Sequence, residues 1–265
     1  MPYLKAALQE LIVNENYSFG GQKEAYLKAL EQAYETHRGK PIQIPRNLTD
    51  QHKVVSIQDD FETTATLSAQ IIRDLKARLK KSDISEELRP LIKRTGALLT
   101  SDNSAAFQNQ ALWACLALEA AANGDFGVGA VLVDRENRIV AMAKNTVFTR
   151  QNTSCHAEMN IISGLQIDGK ALSENGDGLK DLTLISSLEP CPMCLSRISM
   201  TPIQKTLYLS PDPEGGMVTH KDHMPKVWKR FLSDKSFEKS HYEALEKLAK
   251  DIFDYTEAQN EMLGA

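Results

Sequence analysis

Two short motifs constrain this sequence more than any other feature. The first is His156-Ala157-Glu158, and the second is Cys191-Pro192-Met193-Cys194, which directly follows Glu189-Pro190. One histidine and two cysteines offer the nitrogen and sulfur donors that zinc prefers, and three protein ligands leave the fourth tetrahedral position open for water. The chain is therefore expected to fold so that two segments distant in sequence meet around one zinc ion.

Both motifs lie where the pattern predicts the start of a helix. Cys191 and Cys194 are three positions apart on one turn, so both sulfurs can face the same ion. The N-terminus of a helix also favours the thiolate form. At the start of the other helix, His156 and Glu158 can both approach a group that lies beyond the terminus. Glu158 is therefore a candidate to accept and pass on the proton of a zinc-activated water.

The hydrophobic pattern divides the chain near residue 101. Residues 1–100 read as a helical N-terminal region, with predicted helices over 22–37, 61–80 and 86–98. This region has no family match and could cap an active site, mediate dimerisation or bind a partner. The polar run Ser101 to Ser104 is the candidate boundary, and residues 101–265 form the predicted catalytic domain.

The second region alternates between helical and strand patterns. The sequence predicts an α/β fold with helices on both faces of a sheet. Helices are also expected over Lys226 to Leu232 and Tyr242 to Gln259, and any strand between them is expected to be short. The main elements, in order, are a helix at Ala105–Ala122, strands at Val128–Val133 and Arg138–Ala143, a helix from about His156 to Leu165, a strand at Leu182–Ser186, a helix opened by Pro190 in its first turn, and a strand at Ile203–Ser210.

Three segments resemble the cytidine deaminase superfamily, in the branch that holds deoxycytidylate, guanine, cytosine and tRNA-adenosine deaminases. They are Val128–Val133, Cys155–Asn160 and Leu188–Cys194. The resemblance covers roughly residues 105–231. It implies a three-layer α-β-α sandwich with a central mixed sheet, one Zn²⁺ per catalytic domain, and hydrolytic release of ammonia from a base, nucleoside or nucleotide. It also implies a homo-oligomer, with a dimer as the expected form.

The resemblance assigns further site residues around the motifs. Asn145 follows the second strand, where these enzymes place an asparagine that contacts the substrate; the alternative is a turn residue. The backbone N–H groups of Ala157 and Cys191, at two helix starts, are candidates to stabilise the polar intermediate. Glu189 could line the pocket, or could simply precede a helix.

Other interpretations of the motifs stay open. A Cys-x-x-Cys pair can be a redox dithiol, although a partner such as His156-x-Glu158 is not typical of one. A closed structural zinc site needs a fourth ligand, and Cys155 is the candidate. Cys155 and Cys115 are otherwise expected to be packed thiols.

A locally basic segment follows the Gly215-Gly216 loop, and related enzymes close their pockets there. It contains His220, His223 and Trp228, and four basic residues, Lys221, Lys226, Lys229 and Arg230. Trp228 could stack on a base, or could form the core face of an amphipathic helix with Val227 and Phe231. The basic side chains could contact phosphate or RNA, or form a solvated helix face.

Charge and composition bear on the substrate. A formal net charge of -4 argues against a whole-molecule polyanion binder and favours a small-molecule amine. Deamination of tRNA or another nucleic acid is the alternative, and a zinc-stabilised interaction module without activity is a third possibility. The sequence holds no run of about 18 apolar residues, which predicts no membrane partner, and Met1–Val13 reads as an amphipathic helix rather than a signal peptide. A cytoplasmic location is expected.

Overall fold

A five-stranded mixed sheet organises the part of the chain described by the computed structural model, which comprises residues 61–102, 104–167 and 177–262. The strands lie in the order β2-β1-β3-β4-β5. β1 pairs antiparallel with both β2 and β3, whereas β3, β4 and β5 run parallel. The strands are β1 (Gly129–Val133), β2 (Ile139–Lys144), β3 (Thr183–Leu188), β4 (Lys205–Ser210) and β5 (Ser236–Lys239).

Alternate residues of β1 enter two different apolar cores, because successive side chains of a strand point to opposite faces of the sheet. Val131 and Val133 belong to one core, and Ala130 and Leu132 belong to the other. A strand that is buried on both faces reads as a continuous apolar run, and all five residues of β1 are buried. The sheet is therefore the middle layer of three.

Four helices lie on the first face of the sheet: two of them pack against the strands, and the other two pack against those helices. Helix α3 (Ala105–Ala122) begins after Ser104, which caps its N-terminus by accepting a hydrogen bond from the Phe107 N–H (3.3 Å). The small side chains of α3 allow it to approach β1 closely. A Cβ on Gly129 would lie 2.4 Å from the Trp113 carbonyl oxygen, so only glycine fits there. The helices of this layer are α1 (Phe61–Lys80), α2 (Arg89–Leu98), α3 (Ala105–Ala122) and α8 (Glu243–Met262).

The second face carries the helices that begin at the two motifs. They are α4 (Ala157–Ile167) and α6 (Pro192–Ser199), with the short α5 (Asp177–Lys180) before β3. Beyond the end of β4, α7 (Lys226–Leu232) packs with the loop before it on a third, smaller cluster that includes Leu195 of α6.

The predicted element order and the three-layer α-β-α class with a mixed sheet are confirmed. One helix start was wrong: α6 begins at Pro192, not at Pro190. A proline disfavours helical backbone at the residue before it, and Cys191 is extended (φ -67, ψ 170), so it is the N-cap residue and Pro190 lies outside the helix.

The predicted domain division at residue 101 stays a prediction. The predicted helix over 22–37 lies outside the described residues, as does the rest of residues 1–60. Among the described residues, side chains of α1 and α2 share one apolar core with α3 and the sheet. None of the helices in the described ranges has the length and apolar character that a membrane crossing requires.

Candidate metal centre and active site

Four segments meet at one edge of the sheet because of the strand directions. The parallel strands β3 and β4 both end there, and Cys191 follows β3. β1 is antiparallel to β3 and pairs Ala130 with Ser186, so β1 begins and β2 ends at the same edge. Asn145 directly follows β2, and its N–H donates to the Val128 carbonyl oxygen (2.9 Å). The topology therefore gathers both motifs and Asn145 at this edge.

The three predicted ligands form one cluster. Among the described residues, His156, Cys191 and Cys194 are the group whose ligand atoms all lie within 4.8 Å of one another, and Cys155 is not part of it. His156 Nδ1 lies 3.7 Å from each of the two Sγ atoms. In a tetrahedral zinc site with ordinary bond lengths, a nitrogen and a sulfur ligand are separated by about 3.6 Å. The donor atoms and their spacing therefore fit Zn²⁺ with three protein ligands.

The two cysteines have opposite acidities. Hydrogen bonds from the Cys194 thiol and from His156 lower the pKa of Cys191 to about 4. Donation to Cys191, together with burial, raises the pKa of Cys194 well above its ordinary value. The hydrogen bond with Cys191 also raises the pKa of His156. The cluster thus holds one thiolate before a metal enters, and metal binding releases the proton of the second thiol.

Glu158 lies beside the ligand cluster with its carboxylate out of contact with bulk water. Its side chain is buried, and burial raises the pKa of the carboxyl group. Oε2 lies 3.5 Å from Cys194 Sγ, whereas Oε1 accepts a hydrogen bond of 2.9 Å from the Ser186 hydroxyl. A buried carboxyl group with a raised pKa is suited to exchange a proton near neutral pH.

Asn145 is buried at the end of β2, and its side chain shapes the local turn. Its Oδ1 accepts a hydrogen bond from the Val147 N–H (3.0 Å), which is the turn geometry that the sequence left open. The next residue, Thr146, donates through its N–H to the Cys155 carbonyl oxygen (3.0 Å), so Asn145 lies close to His156 along this connection. A role in substrate contact stays a prediction for Asn145, as it does for the N–H of Ala157.

Asn160 is a supporting residue that the sequence did not single out for a role. Its side-chain Nδ2 lies within hydrogen-bond distance of three oxygens: the Lys144 carbonyl (2.9 Å), the Thr146 hydroxyl (3.1 Å) and the Cys155 carbonyl (3.2 Å). The loop between β2 and α4 is therefore attached to α4 one turn after His156. A polar side chain within an apolar helical run is the signal that could have marked it.

Glu189 does not reach the ligand cluster but holds the loop that follows β4. Its Oε1 accepts hydrogen bonds from the N–H (2.8 Å) and hydroxyl (3.0 Å) of Thr219, and its Oε2 accepts one from the Asp212 N–H (3.1 Å). The Met217 N–H of the same loop donates to the Pro190 carbonyl oxygen (2.9 Å). The loop over 211–219 is thus fastened directly beside Cys191.

Several residues named in the sequence analysis lie outside the ligand cluster and pack against other side chains. Cys155 and Cys115 are buried thiols, and burial raises the pKa of Cys115 to about 12. Trp228 packs against the third cluster, but Val227 and Phe231 are 45% and 38% exposed, so the expected core face shared by the three residues was wrong. His220 and His223 stack with ring centroids 5.9 Å apart and lie outside the ligand cluster.

Comparison with known proteins bears on this region. Residues 105–210 match the family described as the cytidine and deoxycytidylate deaminase zinc-binding region. The tRNA-specific adenosine deaminase of Bacillus subtilis is 36% identical over 100 residues, which are 38% of this chain and 58% of that protein. The tRNA(Ile)-lysidine synthase of Deinococcus radiodurans is 34% identical over 106 residues, which cover 38% of this chain and 16% of that protein.

A solved structure of guanine deaminase from Nitrosomonas europaea superposes with a TM-score of 0.45 at 18% identity, over 57% of this chain and 84% of that one. The sequence matches span only part of the curated relatives. Residues 105–210, which include His156, Cys191 and Cys194, are therefore similar to the zinc-binding region of the cytidine and deoxycytidylate deaminases.

Proposed function

We propose that this protein hydrolyses the exocyclic amine of a nucleobase to a carbonyl and releases ammonia. The observation that carries the proposal is the position of Glu158: its buried Oε2 lies 3.5 Å from Cys194 Sγ, beside three ligand atoms that fit a zinc ion with an open position. A closed structural site needs a fourth protein ligand, and among the described residues the sequence candidate Cys155 is not part of the cluster.

The residues divide the chemistry between them. His156, Cys191 and Cys194 would hold Zn²⁺, which supplies a water that is nucleophilic at neutral pH. Glu158 takes a proton from this water and delivers it to the ring nitrogen beside the amine-bearing carbon. A carbon–oxygen bond forms at that carbon. Glu158 then takes the proton of the new hydroxyl group and passes it to the amine, the carbon–nitrogen bond breaks, and ammonia and the carbonyl product leave.

The neighbouring groups are assigned to binding. The N–H groups of Ala157 and Cys191, at the starts of two helices, would stabilise the negative charge that develops on the intermediate. Asn145 contacts the base or sugar through the part of its amide that is not used in the turn. A homodimer and a cytoplasmic location stay predictions of the sequence.

A base within tRNA is the second candidate substrate. Two observations favour it: several of the similar curated proteins are tRNA-specific adenosine deaminases, and a basic segment adjoins α6. Trp228 is half-buried on this segment, and four basic residues lie near it in the sequence, namely Lys221, Lys226, Lys229 and Arg230. Basic side chains beside a base-stacking aromatic ring are suited to single-stranded RNA.

The experiment is an ammonia-release assay of the zinc-loaded protein on free bases, nucleosides, nucleotides and a tRNA pool. Activity on one small amine supports the first candidate. Activity confined to tRNA, with a KM that rises steeply with salt, supports the second. Zinc at full occupancy with no ammonia from any of these amines would contradict both.

Glu158→Gln tests the assigned proton carrier. We expect this variant to keep its zinc and to lose about two to four orders of magnitude in kcat, because the amide cannot exchange the proton. Glu136→Gln, a change of the same kind in the exposed turn between β1 and β2, is the control and should leave kcat unchanged. A Glu158→Gln protein that retains both metal and full activity would overturn the assignment.

A further inference from the structure

Ser186 is in direct contact with Glu158. Its side chain is fully buried in β3, and its hydroxyl donates a hydrogen bond of 2.9 Å to Glu158 Oε1. The strand around it is apolar, with Leu184 and Ile185 before the serine pair. A hydroxyl buried in such surroundings is costly unless it is hydrogen-bonded, and here the partner is the carboxylate of the deaminase site.

The next residue, Ser187, has a different partner although it is equally buried. Successive side chains of a strand point to opposite faces, so Ser186 lies on the face of α4 and Ser187 on the face of α3. Ser187 Oγ accepts a hydrogen bond from the Gly129 N–H (3.1 Å) and so closes the start of β1. The two serines therefore form a natural pair for comparison: one contacts the proton carrier, and the other contacts only the sheet.

The two carboxylate oxygens of Glu158 have different neighbours because of the hydrogen bond from Ser186. Oε1 is occupied by the hydroxyl, whereas Oε2 is directed to the cluster formed by Cys194 and the other ligands. The terminal torsion of a glutamate side chain is broad, so packing alone does not define which oxygen faces the metal. A serine hydroxyl can both donate and accept, and it therefore suits a carboxyl group that gains and loses a proton.

We propose that Ser186 is a positioning residue, which fixes the Glu158 carboxylate so that Oε2 is the oxygen that exchanges protons with the water and the substrate. The proposal rests on the proposed deaminase function for its catalytic consequence. Its geometric content, the orientation of the carboxylate in the zinc-loaded protein, is independent of any substrate.

The test compares Ser186→Ala with Ser187→Ala in zinc-loaded protein. For Ser186→Ala we expect unchanged zinc content, a KM within about twofold of wild type, and a kcat lower by about 10- to 100-fold, the range expected for loss of one hydrogen bond to a charged group. Ser187→Ala should unfold at a lower denaturant concentration, with kcat unchanged. Ser186→Thr keeps the hydroxyl and should restore most of the activity that the alanine variant loses.

A crystal structure of zinc-loaded Ser186→Ala provides the second readout. We expect the carboxylate of Glu158 to rotate or to occupy two orientations, with Oε2 no longer held beside Cys194. An unchanged carboxylate together with an unchanged kcat would overturn the proposal, and so would an equal loss of kcat in both alanine variants. If wild-type protein deaminates nothing, the proposed function fails, and the crystal structure alone decides whether Ser186 positions Glu158.

Discussion

The carboxylate of Glu189 offers a sharp test of how the site is held together. It is 2% exposed, it lies two residues before a zinc ligand, and all its hydrogen bonds go to the loop over 211–219. Glu189→Gln changes one atom of this arrangement. The amide oxygen can replace Oε1 and keep both hydrogen bonds from Thr219, but the amide nitrogen then replaces Oε2 and faces the Asp212 N–H. One donor is thereby left buried against another donor.

The size of the effect follows from the number of contacts that are lost. Glu189→Gln loses one hydrogen bond to a charged acceptor, so we expect the free energy of unfolding to fall by about 1.5–3 kcal/mol. Glu189→Ala loses all three hydrogen bonds and leaves their donors without this acceptor, so we expect a larger loss, of about 3–5 kcal/mol. Thr219→Val removes one hydroxyl donor at a partly exposed position and should cost about 1 kcal/mol. The loss of unfolding free energy should therefore be largest for Glu189→Ala, smaller for Glu189→Gln and smallest for Thr219→Val.

Urea unfolding measures these free energies, and amide hydrogen exchange shows which N–H groups lose protection. In Glu189→Gln, the N–H of Asp212 should exchange faster while that of Thr219 keeps most of its protection. Glu214→Gln, at an exposed position in the same loop, is the matched control and should change neither quantity. A Glu189→Gln protein with wild-type stability and a protected Asp212 N–H would refute the claim that this carboxylate fastens the loop.

Two further predictions concern the cysteines. In metal-free protein near pH 6, iodoacetamide should alkylate Cys191 before the other three cysteines, because the pKa of its thiol is about 4. Bound zinc should block this reaction. Peptide mass mapping shows the order of alkylation, and initial modification of Cys115 would contradict the prediction. The buried Cys115 thiol has its pKa raised from an ordinary value near 9 to about 12, so its contribution to stability is complete below pH 9 and is lost as the pH rises toward 12. Between these values the free energy of unfolding should fall by about 1.4 kcal/mol per pH unit more in wild type than in Cys115→Ala, and equal slopes in urea titrations would refute this.

The element order was predictable because, along residues 61–262, the hydrophobic periodicity and the residues that end helices and strands indicate the same elements. The start of α6 was not, because Pro190 and Pro192 both lie next to Cys191 and either can occupy the first turn of a helix. The structure decides between them: Cys191 adopts the extended backbone (φ -67, ψ 170) that is favoured before a proline, and it lies outside the helix. The helix therefore starts one residue after the first cysteine ligand.

The clustering of His156, Cys191 and Cys194 was predictable because few residue types bind zinc, and the structure brings these three side chains together; their role as zinc ligands stays a prediction. The partner of Ser186 was not predictable, because it depends on the register in which β1 and β3 pair and on the side of the sheet that α4 occupies. The sequence gives only a sign of it, two serines in an otherwise apolar strand. The face of α7 was misjudged for a similar reason: Val227 and Phe231 are four apart and share one side of the helix, while Trp228 and Leu232 form the side that packs.

The residues that accompany the zinc ligands in both motifs have a common structural task. Asn160 lies four positions after His156 and binds the loop that precedes α4, whereas Glu189 lies two positions before Cys191 and binds the loop that follows β4. Each fastens a connection that runs along the edge of the sheet where the ligands meet. Because a loop detached at this edge would expose the cluster of His156, Cys191 and Cys194 to water, we expect the burial of Glu158, and the proton exchange proposed for it, to depend on both attachments. Damage to either should therefore lower kcat even where the zinc ligands themselves are untouched.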